Sequence, residues 1–415
     1  MRHNLSSIFH TYTQRFRVNG PYFMHPPDPS HCLSIVIPSY KEPDIITTLR
    51  SLAACQPPPG AVEVIVVVNA PEKAGIKVLE CNQKTLKQLE DWKKEKPAHF
   101  SLLLIREENL PHKFAGAGLA RKIGMDEASR RWAMLEKDGP ILCLDADCTV
   151  SDNYLLAAHS AFSDPAVGLG HFQFAHLYAQ ESDPVLRAGI ILYELHLRCY
   201  IHGLKMAGYP FARHTVGSCM AVRASVYAQG GGMNRRKAGE DFYFLHKLLP
   251  LVGWKEIPAT VYPAGRVSDR VPFGTGKAQT DWQRNPGTFY SYHPEIYERL
   301  KLFFEAVPEW YGNEISLEPF ASGLRDFLEE AGLIPKVLQM RKQSNSPAVF
   351  RRRFWQWMDG FMVLKLTHHL RDRGLPSLPV IEVAQSLSGK PLEDPEQLLE
   401  YFRELDRTLR QPDQV

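Results

Sequence analysis

An α/β fold built on a mostly parallel, Rossmann-like sheet is what this sequence predicts, and three observations carry the prediction. Short continuous apolar runs alternate with segments of helical periodicity. The run Ile141-Leu142-Cys143-Leu144 stops at two carboxylates, Asp145 and Asp147, separated by one residue. Beyond about residue 290 the runs give way to helical patterns. Strands alternating with helices imply right-handed crossovers and parallel pairing.

Residues 1–32 read as an extension ending in the turn-rich Pro26-Pro27-Asp28-Pro29. Leu33-Ser34-Ile35-Val36-Ile37-Pro38 is the opening strand, and Ser39-Tyr40-Lys41-Glu42-Pro43 the loop after it. Helical spacing continues through Ile45, Ile46, Leu49 and Leu52, and Pro43 suits a first turn, where its missing N–H is not needed. Val62 to Val68 is the next run and ends at Asn69; Leu102 to Ile105 comes after it, before Asn109. The charged segment between them carries Leu79, Leu86, Leu89 and Trp92 at helical spacing. A run buried on both faces places the next few residues at the carboxyl end of the sheet, where open α/β sheets bind ligands. Two oxygen ligands there suit Mg²⁺ or Mn²⁺, and such an ion usually serves a phosphate-bearing substrate. Asp-x-Asp also occurs in ordinary polar turns, so its context has to carry the reading.

That context resembles the GT-A family 2 glycosyltransferases, which move a sugar from a nucleoside-diphosphate sugar to an acceptor. The residues carrying the resemblance are Ile35 to Glu42, Gly116-Ala117-Gly118-Leu119-Ala120-Arg121-Lys122, Asp145-Ala146-Asp147, and Gly230-Gly231-Gly232 followed by Gly239-Glu240-Asp241. It spans roughly residues 33–270. The resemblance implies a GT-A domain over 33–290 and a hexosyl donor of the UDP or GDP type, while the helical patterns over Ile296–Phe304, Leu324–Ala331 and Phe354–Leu370 make 291–415 a helical module. It also implies Pro38, Ser39, Tyr40, Glu42, Asn69, Gly116, Arg121 and Asp145 on the donor. Asp147 becomes the direct metal ligand, with Asp145 on the ribose or the ion's water shell; spacing alone does not distinguish the two. Asp241 becomes the base that takes the acceptor's proton, and Glu240 its acceptor-binding neighbour. Direct attack would invert the anomeric carbon. Where many members carry an aspartate for the donor base, this chain has Asn69, which both donates and accepts hydrogen bonds.

Arg266 and Arg270, in the stretch from Pro263 to Lys277 that also contains Ser268 and Gly274-Thr275-Gly276-Lys277, can present guanidinium, hydroxyl and backbone N–H groups to phosphate oxygens. The Walker spacing is absent, so this is no P-loop. A solvated surface loop is the plain alternative; a loop closing on the donor diphosphate or on an anionic acceptor is the preferred reading. This arrangement also resembles that of some retaining GT-A enzymes acting on phosphorylated small acids, which is the alternative to inversion. Among His171, His176, His196, His202, His214 and His246, His214 is the best placed to be a third metal ligand, although each is more often structural. A nucleotide-sugar-binding scaffold without catalysis is the rival from another class, and both acidic motifs count against it. A nucleotidyltransferase is disfavoured because no glycine-rich, lysine-bearing loop follows the first strand.

Composition fits a two-part globular enzyme: 415 residues, 44% hydrophobic, 23% charged. A formal net charge of +3 gives no global field for nucleic acid. Seven scattered cysteines without a Cys-x-x-Cys pair suit buried thiols in a reducing cytoplasm better than disulfides or a zinc site. No window reaches the roughly 18 apolar residues of a membrane span. Ile190 to Met206 and Arg351-Arg352-Arg353-Phe354-Trp355 leave two explanations open, peripheral contact with an anionic inner membrane face and packing between domains, of which packing is favoured.

Overall fold

The structure is a computed structural model describing residues 5–17, 19–95, 98–268, 270 and 273–408. Asp269, Val271 and Pro272 of the basic stretch lie outside the described residues, as do the first four residues and residue 18 of the extension. The chain divides into two compact units, one of Met1–Ser182 with Thr215–Asp281, the other of Asp183–His214 with Trp282–Val415.

In the first unit α1 (Leu5–Arg15) precedes β1 (Leu33–Ser39), α2 (Ile45–Ala53), β2 (Val62–Pro71), α3 (Ile76–Glu95) and β3 (Phe100–Leu110). Then come α4 (Ala117–Met134), β4 (Pro140–Cys143), β5 (Thr149–Val150), α5 (Tyr154–Phe162) and β6 (Val167–Phe174). The second unit takes α6 (Pro184–Met206), after which the first resumes with β7 (Met220–Arg223), α7 (Ala224–Gln229), α8 (Glu240–Leu248), β8 (Gly253–Tyr262) and the start of α9 (Thr275–Arg284). One eight-stranded sheet has the order β3-β2-β1-β4-β7-β6-β8-β5. Its first four strands are parallel; β7 runs antiparallel to both β4 and β6, and β6 and β8 are parallel to each other.

The parallel half is the predicted one. Six of the seven residues of β1 and nine of the ten of β2 are buried, which is why these strands read as near-continuous apolar runs instead of alternating. The register pairs Ser39 with Val68 and Val36 with Cys143, so the residues after β1, β2 and β4 come to one edge of the sheet.

The first 32 residues are not a mere extension, because α1 inserts a side chain into the core. Tyr12 is 3% exposed, bonds Asp126 at 2.5 Å, and lies 3.3 Å from the Tyr227 hydroxyl. Lys122 donates to Tyr12 at 2.6 Å, and Tyr227 to Asp126 at 2.6 Å. Gly232, at φ +73°, leaves room for the ring, since a Cβ there would stand 2.0 Å from the Tyr12 hydroxyl. The Gly230-Gly231-Gly232 turn is thus partly spoken for by packing.

The second unit is helical, but it does not begin at 291. After α6 come β9 (Tyr290–Ser291), α10 (Pro294–Ala306), α11 (Ser322–Glu330), α12 (Leu333–Lys342), α13 (Pro347–Trp357), α14 (Gly360–Asp372), β10 (Leu378–Pro379), α15 (Val380–Ser388) and α16 (Pro395–Thr408). Helix α6 belongs here because Leu195 and Cys199 pack with Val380, Val383, Ala384, Leu398 and Phe402. Its buried Glu194 is held by Arg198 at 2.6 Å and Arg403 at 2.7 Å. No described helix is long and apolar enough to cross a membrane. In α13 the aromatic residues Phe354 and Trp355 are core, at 0% and 8% exposed, while Arg351, Arg352 and Arg353 face solvent.

Candidate active site

Two carboxylate–guanidinium groupings stand at the carboxyl edge of the sheet. Past the end of β4, Asp145-Ala146-Asp147 forms a turn fixed by Cys148 N–H on the Asp145 carbonyl at 3.1 Å and the Thr48 hydroxyl on the Ala146 carbonyl at 2.9 Å. The turn aims its two carboxylates at different arginines.

Asp147 receives Arg270 at 2.7 Å and Arg266 at 3.0 Å. Both arginines also bond Glu42, which is 1% exposed and belongs to the loop after β1; Arg270 reaches it at 2.7 Å and Arg266 makes a short contact. Burial alone would lower the Arg270 pKa, but Asp147 and Glu42 beside it raise it above its ordinary value. Helix α9 anchors this basic loop through Gln279 on the Gly265 carbonyl at 2.9 Å and Thr280 on the Ser268 carbonyl at 3.2 Å. Ser268 in turn accepts from the Arg270 guanidinium at 3.0 Å. Arg266 and Arg270 are therefore placed over the end of the sheet, facing Asp147.

Asp145 pairs with Arg121 of α4, whose other amino group pairs with Glu240. Arg121 is 4% exposed and Glu240 2%. The sequence expectation that Arg121 reaches a donor directly is thus joined by an inward role, in which one guanidinium ties the metal-motif turn to the first turn of α8. Asp241 comes next, its carboxylate accepting Phe242 N–H at 2.7 Å. Burial pushes the Asp241 pKa up; Arg121 and the backbone N–H of Phe242 pull it down, and Asp145 adds to the rise. Burial also pushes Glu240 up to about 7, with Arg121 opposing the rise and Asp241 adding to it.

Glycines let these pieces meet. Gly239, at φ +68°, turns the chain into α8 so that Glu240 and Asp241 open the helix. A Cβ on Gly118 would lie 2.3 Å from the Arg236 carbonyl, and one on Gly116 2.8 Å from Lys237 Cα, so the start of α4 can lie against the turn before α8. Gly217 was not singled out in the sequence, yet a Cβ there would stand 2.7 Å from the Arg121 guanidinium and 2.8 Å from the Asp241 carboxylate. Nothing in Val216-Gly217-Ser218 marks it, because its neighbours are distant in sequence.

The other expected residues serve the strand ends and the second unit. Pro38 and Ser39 end β1, with Tyr40 after them. Asn69 is 4% exposed and donates to the Ser39 carbonyl at 2.9 Å, while its own carbonyl accepts from Asn82 at 2.9 Å. Asn69 thus ties the ends of β1 and β2 together. His214 lies in the second unit, where its Nε2 is 3.2 Å from Asp406 Oδ2.

Among the described residues no three His, Cys, Asp or Glu side chains group as a metal cage. Mg²⁺ needs no such cage, since it commonly takes one or two carboxylates together with substrate phosphates and water. Asp145 and Asp147, with side chains 38% and 22% exposed and already balancing cationic groups, fit that more open mode.

No protein-family model matches the chain, and no curated protein is similar to it in sequence. In fold, the chain is similar to crystal structures of S. aureus TarS 1–349. The structure without a named ligand has 12% identity and a TM-score of 0.38, covering 79% of this chain and 90% of that one. The complex with UDP has 14% identity and a TM-score of 0.39, over 82% and 92%. The complex with UDP-GlcNAc has 12% identity and a TM-score of 0.39, over 79% and 91%.

The pH sense of the buried pair is set by its burial. Glu240, with an ordinary pKa of 4.5 and a folded value of about 7, keeps a proton in the folded state that the unfolded chain has given up. Its contribution to stability is therefore complete below pH 4.5 and is lost progressively as the pH rises through about 7. The melting temperature of the parent, relative to Glu240→Gln, should fall between pH 5 and pH 8. A difference that stays constant over that range would mean that Glu240 is ionised throughout.

Proposed function

We propose that this chain is a metal-dependent glycosyltransferase that moves a hexosyl group from a nucleoside-diphosphate sugar to an acceptor hydroxyl with inversion. The observation that carries the reading is the adjacency of two unlike groupings at one sheet edge. Asp147 with Arg266 and Arg270 suits a diphosphate leaving group; Asp145, Arg121, Glu240 and Asp241 suit proton removal from an acceptor.

Breaking the bond from sugar to diphosphate builds negative charge on the leaving phosphate, which positioned guanidiniums stabilise. Arg266 and Arg270 would exchange Asp147 and Glu42 for the donor's phosphate oxygens, one charged partner for another of the same sign. Asp147 would then be free to hold Mg²⁺ or Mn²⁺, with Asp145 beside it; such an ion supplies Lewis-acid neutralisation of the phosphates. Asp241, its pKa raised by burial, can take the acceptor's hydroxyl proton as that oxygen attacks. Glu240, next to it on the first turn of α8, would hold the acceptor.

Donor binding tests the reading. UDP, GDP and UDP-GlcNAc are titrated with and without Mn²⁺, and one of them should bind the parent more tightly when Mn²⁺ is present. Asp147→Ala should lose that Mn²⁺ dependence. Arg266→Ala and Arg270→Ala should each weaken the nucleotide by roughly tenfold or more, since a hydrogen bond to a charged group is worth about 1.5–3 kcal/mol. Equal affinity and equal metal dependence in Asp147→Ala would overturn the metal assignment.

A further inference from the structure

A second set of cations lies on the turn that leads into the Glu240–Asp241 carboxylates, and neither the donor nor the ion accounts for it. Arg235, Arg236 and Lys237 form the exposed turn that leads into Gly239, Glu240 and Asp241. The turn is built to one shape. Asn234 donates to the Glu240 carbonyl at 2.8 Å and accepts Arg236 N–H at 3.1 Å. Lys237 backbone packs on Gly116, and the Arg236 carbonyl on Gly118. This turn therefore moves with the carboxylates it precedes.

Arg235 and Arg236 are held by aromatic faces and not by acids. The Arg236 guanidinium lies 3.7 Å from the Tyr243 ring centre, and that of Arg235 4.6 Å from Phe114. Lys113, exposed on the loop before α4, brings its ammonium to 5.4 Å from the same Phe114 ring. Among the described residues, none of these four cations makes an ion pair with a carboxylate. Surfaces usually intersperse both signs of charge. An aromatic face orients a guanidinium while leaving its N–H edge open; that fork matches a carboxylate or a phosphate, and several cations gathered on one turn suit the more highly charged phosphate.

We infer that the sugar acceptor is a phosphate-bearing molecule, its anionic group received by Arg235, Arg236, Lys237 and Lys113 while its hydroxyl meets Asp241. This rests on the glycosyltransferase reading and adds the acceptor's chemical class to it. The phosphate can be that of a small phosphomonoester or of a lipid headgroup, and both present anionic non-bridging phosphate oxygens to the turn.

The test uses the full chain saturated with UDP and Mn²⁺. Probes are sn-glycerol 3-phosphate, glycerol as its neutral counterpart, and vesicles of phosphatidylcholine with or without one quarter phosphatidylglycerol. The parent should bind sn-glycerol 3-phosphate or the phosphatidylglycerol vesicles and ignore the neutral counterpart; which of the two it binds identifies the source. Replacing the turn by Arg235→Ser, Arg236→Ser and Lys237→Ser together should weaken that binding at least tenfold, with UDP affinity within twofold of the parent. Arg235→Lys with Arg236→Lys should retain most of it, which guards against a turn that simply misfolds. Nucleotide binding with no preference for either anionic probe, or a preference unchanged in the triple variant, overturns the acceptor inference alone. Failure of the parent to bind any nucleotide overturns the glycosyltransferase reading, and this inference with it.

Discussion

Asp241→Asn should lower sugar transfer by about 10² to 10⁴ while leaving donor affinity near the parent's. The amide keeps the shape and the bond from Phe242 N–H, but it cannot take up a proton. Removing an interaction made mainly in the transition state lowers the chemical step and leaves ground-state binding intact. Single-turnover transfer, with nucleotide binding measured on the same preparation, separates the two effects. Near-parental transfer would remove Asp241 from the role of base and favour a mechanism that retains anomeric configuration, where no enzymic base is needed at this position.

The second large effect is on stability. Arg121→Met fills a similar space but withdraws the cation from Asp145, Glu240 and Asp241. Breaking a buried pair by removing one partner costs about 3–5 kcal/mol, because a charge is left in a poorly solvated place. For a unit of this size that lowers the melting temperature on the order of 10 °C. Adding Glu240→Gln to Arg121→Met should recover part of the loss, since one stranded carboxylate is then neutral. A single variant that melts with the parent would mean that water reaches these carboxylates and that the guanidinium is dispensable to the fold.

The parallel half of the sheet was legible because β1, β2 and β4 are buried on both faces and so appear as near-continuous apolar runs, broken by a buried Ser34 and Glu63. Strands β6 and β8 were harder to see, the one carrying glycine and histidine among its apolar residues, the other a mixed pattern of burial. Charge was legible as charge and not as direction. Arg121 reads as a cation on a helix, yet its position under Asp145 and Glu240 depends on α8, more than a hundred residues later. The place of α6 was hidden for the same reason. Its stripe of Leu195 and Cys199 has a partner, but that partner is α15 and α16 at the far end of the chain. Tyr12 gave no signal at all, since the glycine that makes room for it is Gly232.

These long separations govern the order in which the protein can mature on a ribosome. Tyr12 and its hydroxyl partner Tyr227 are 215 residues apart. At roughly 5–20 residues per second, α1 has to wait on the order of 10–40 seconds before its docking surface exists. Helix α6 emerges before β7 and α8 have completed the first unit, so synthesis of that unit is interrupted by a helix destined for the other. Glu194 and Arg403 are 209 residues apart, so until α16 appears the Glu194 carboxylate, paired with Arg198 of its own helix, lacks the Arg403 guanidinium. The sheet can therefore settle while the second unit is still unfinished, before α15 and α16 emerge to cover α6.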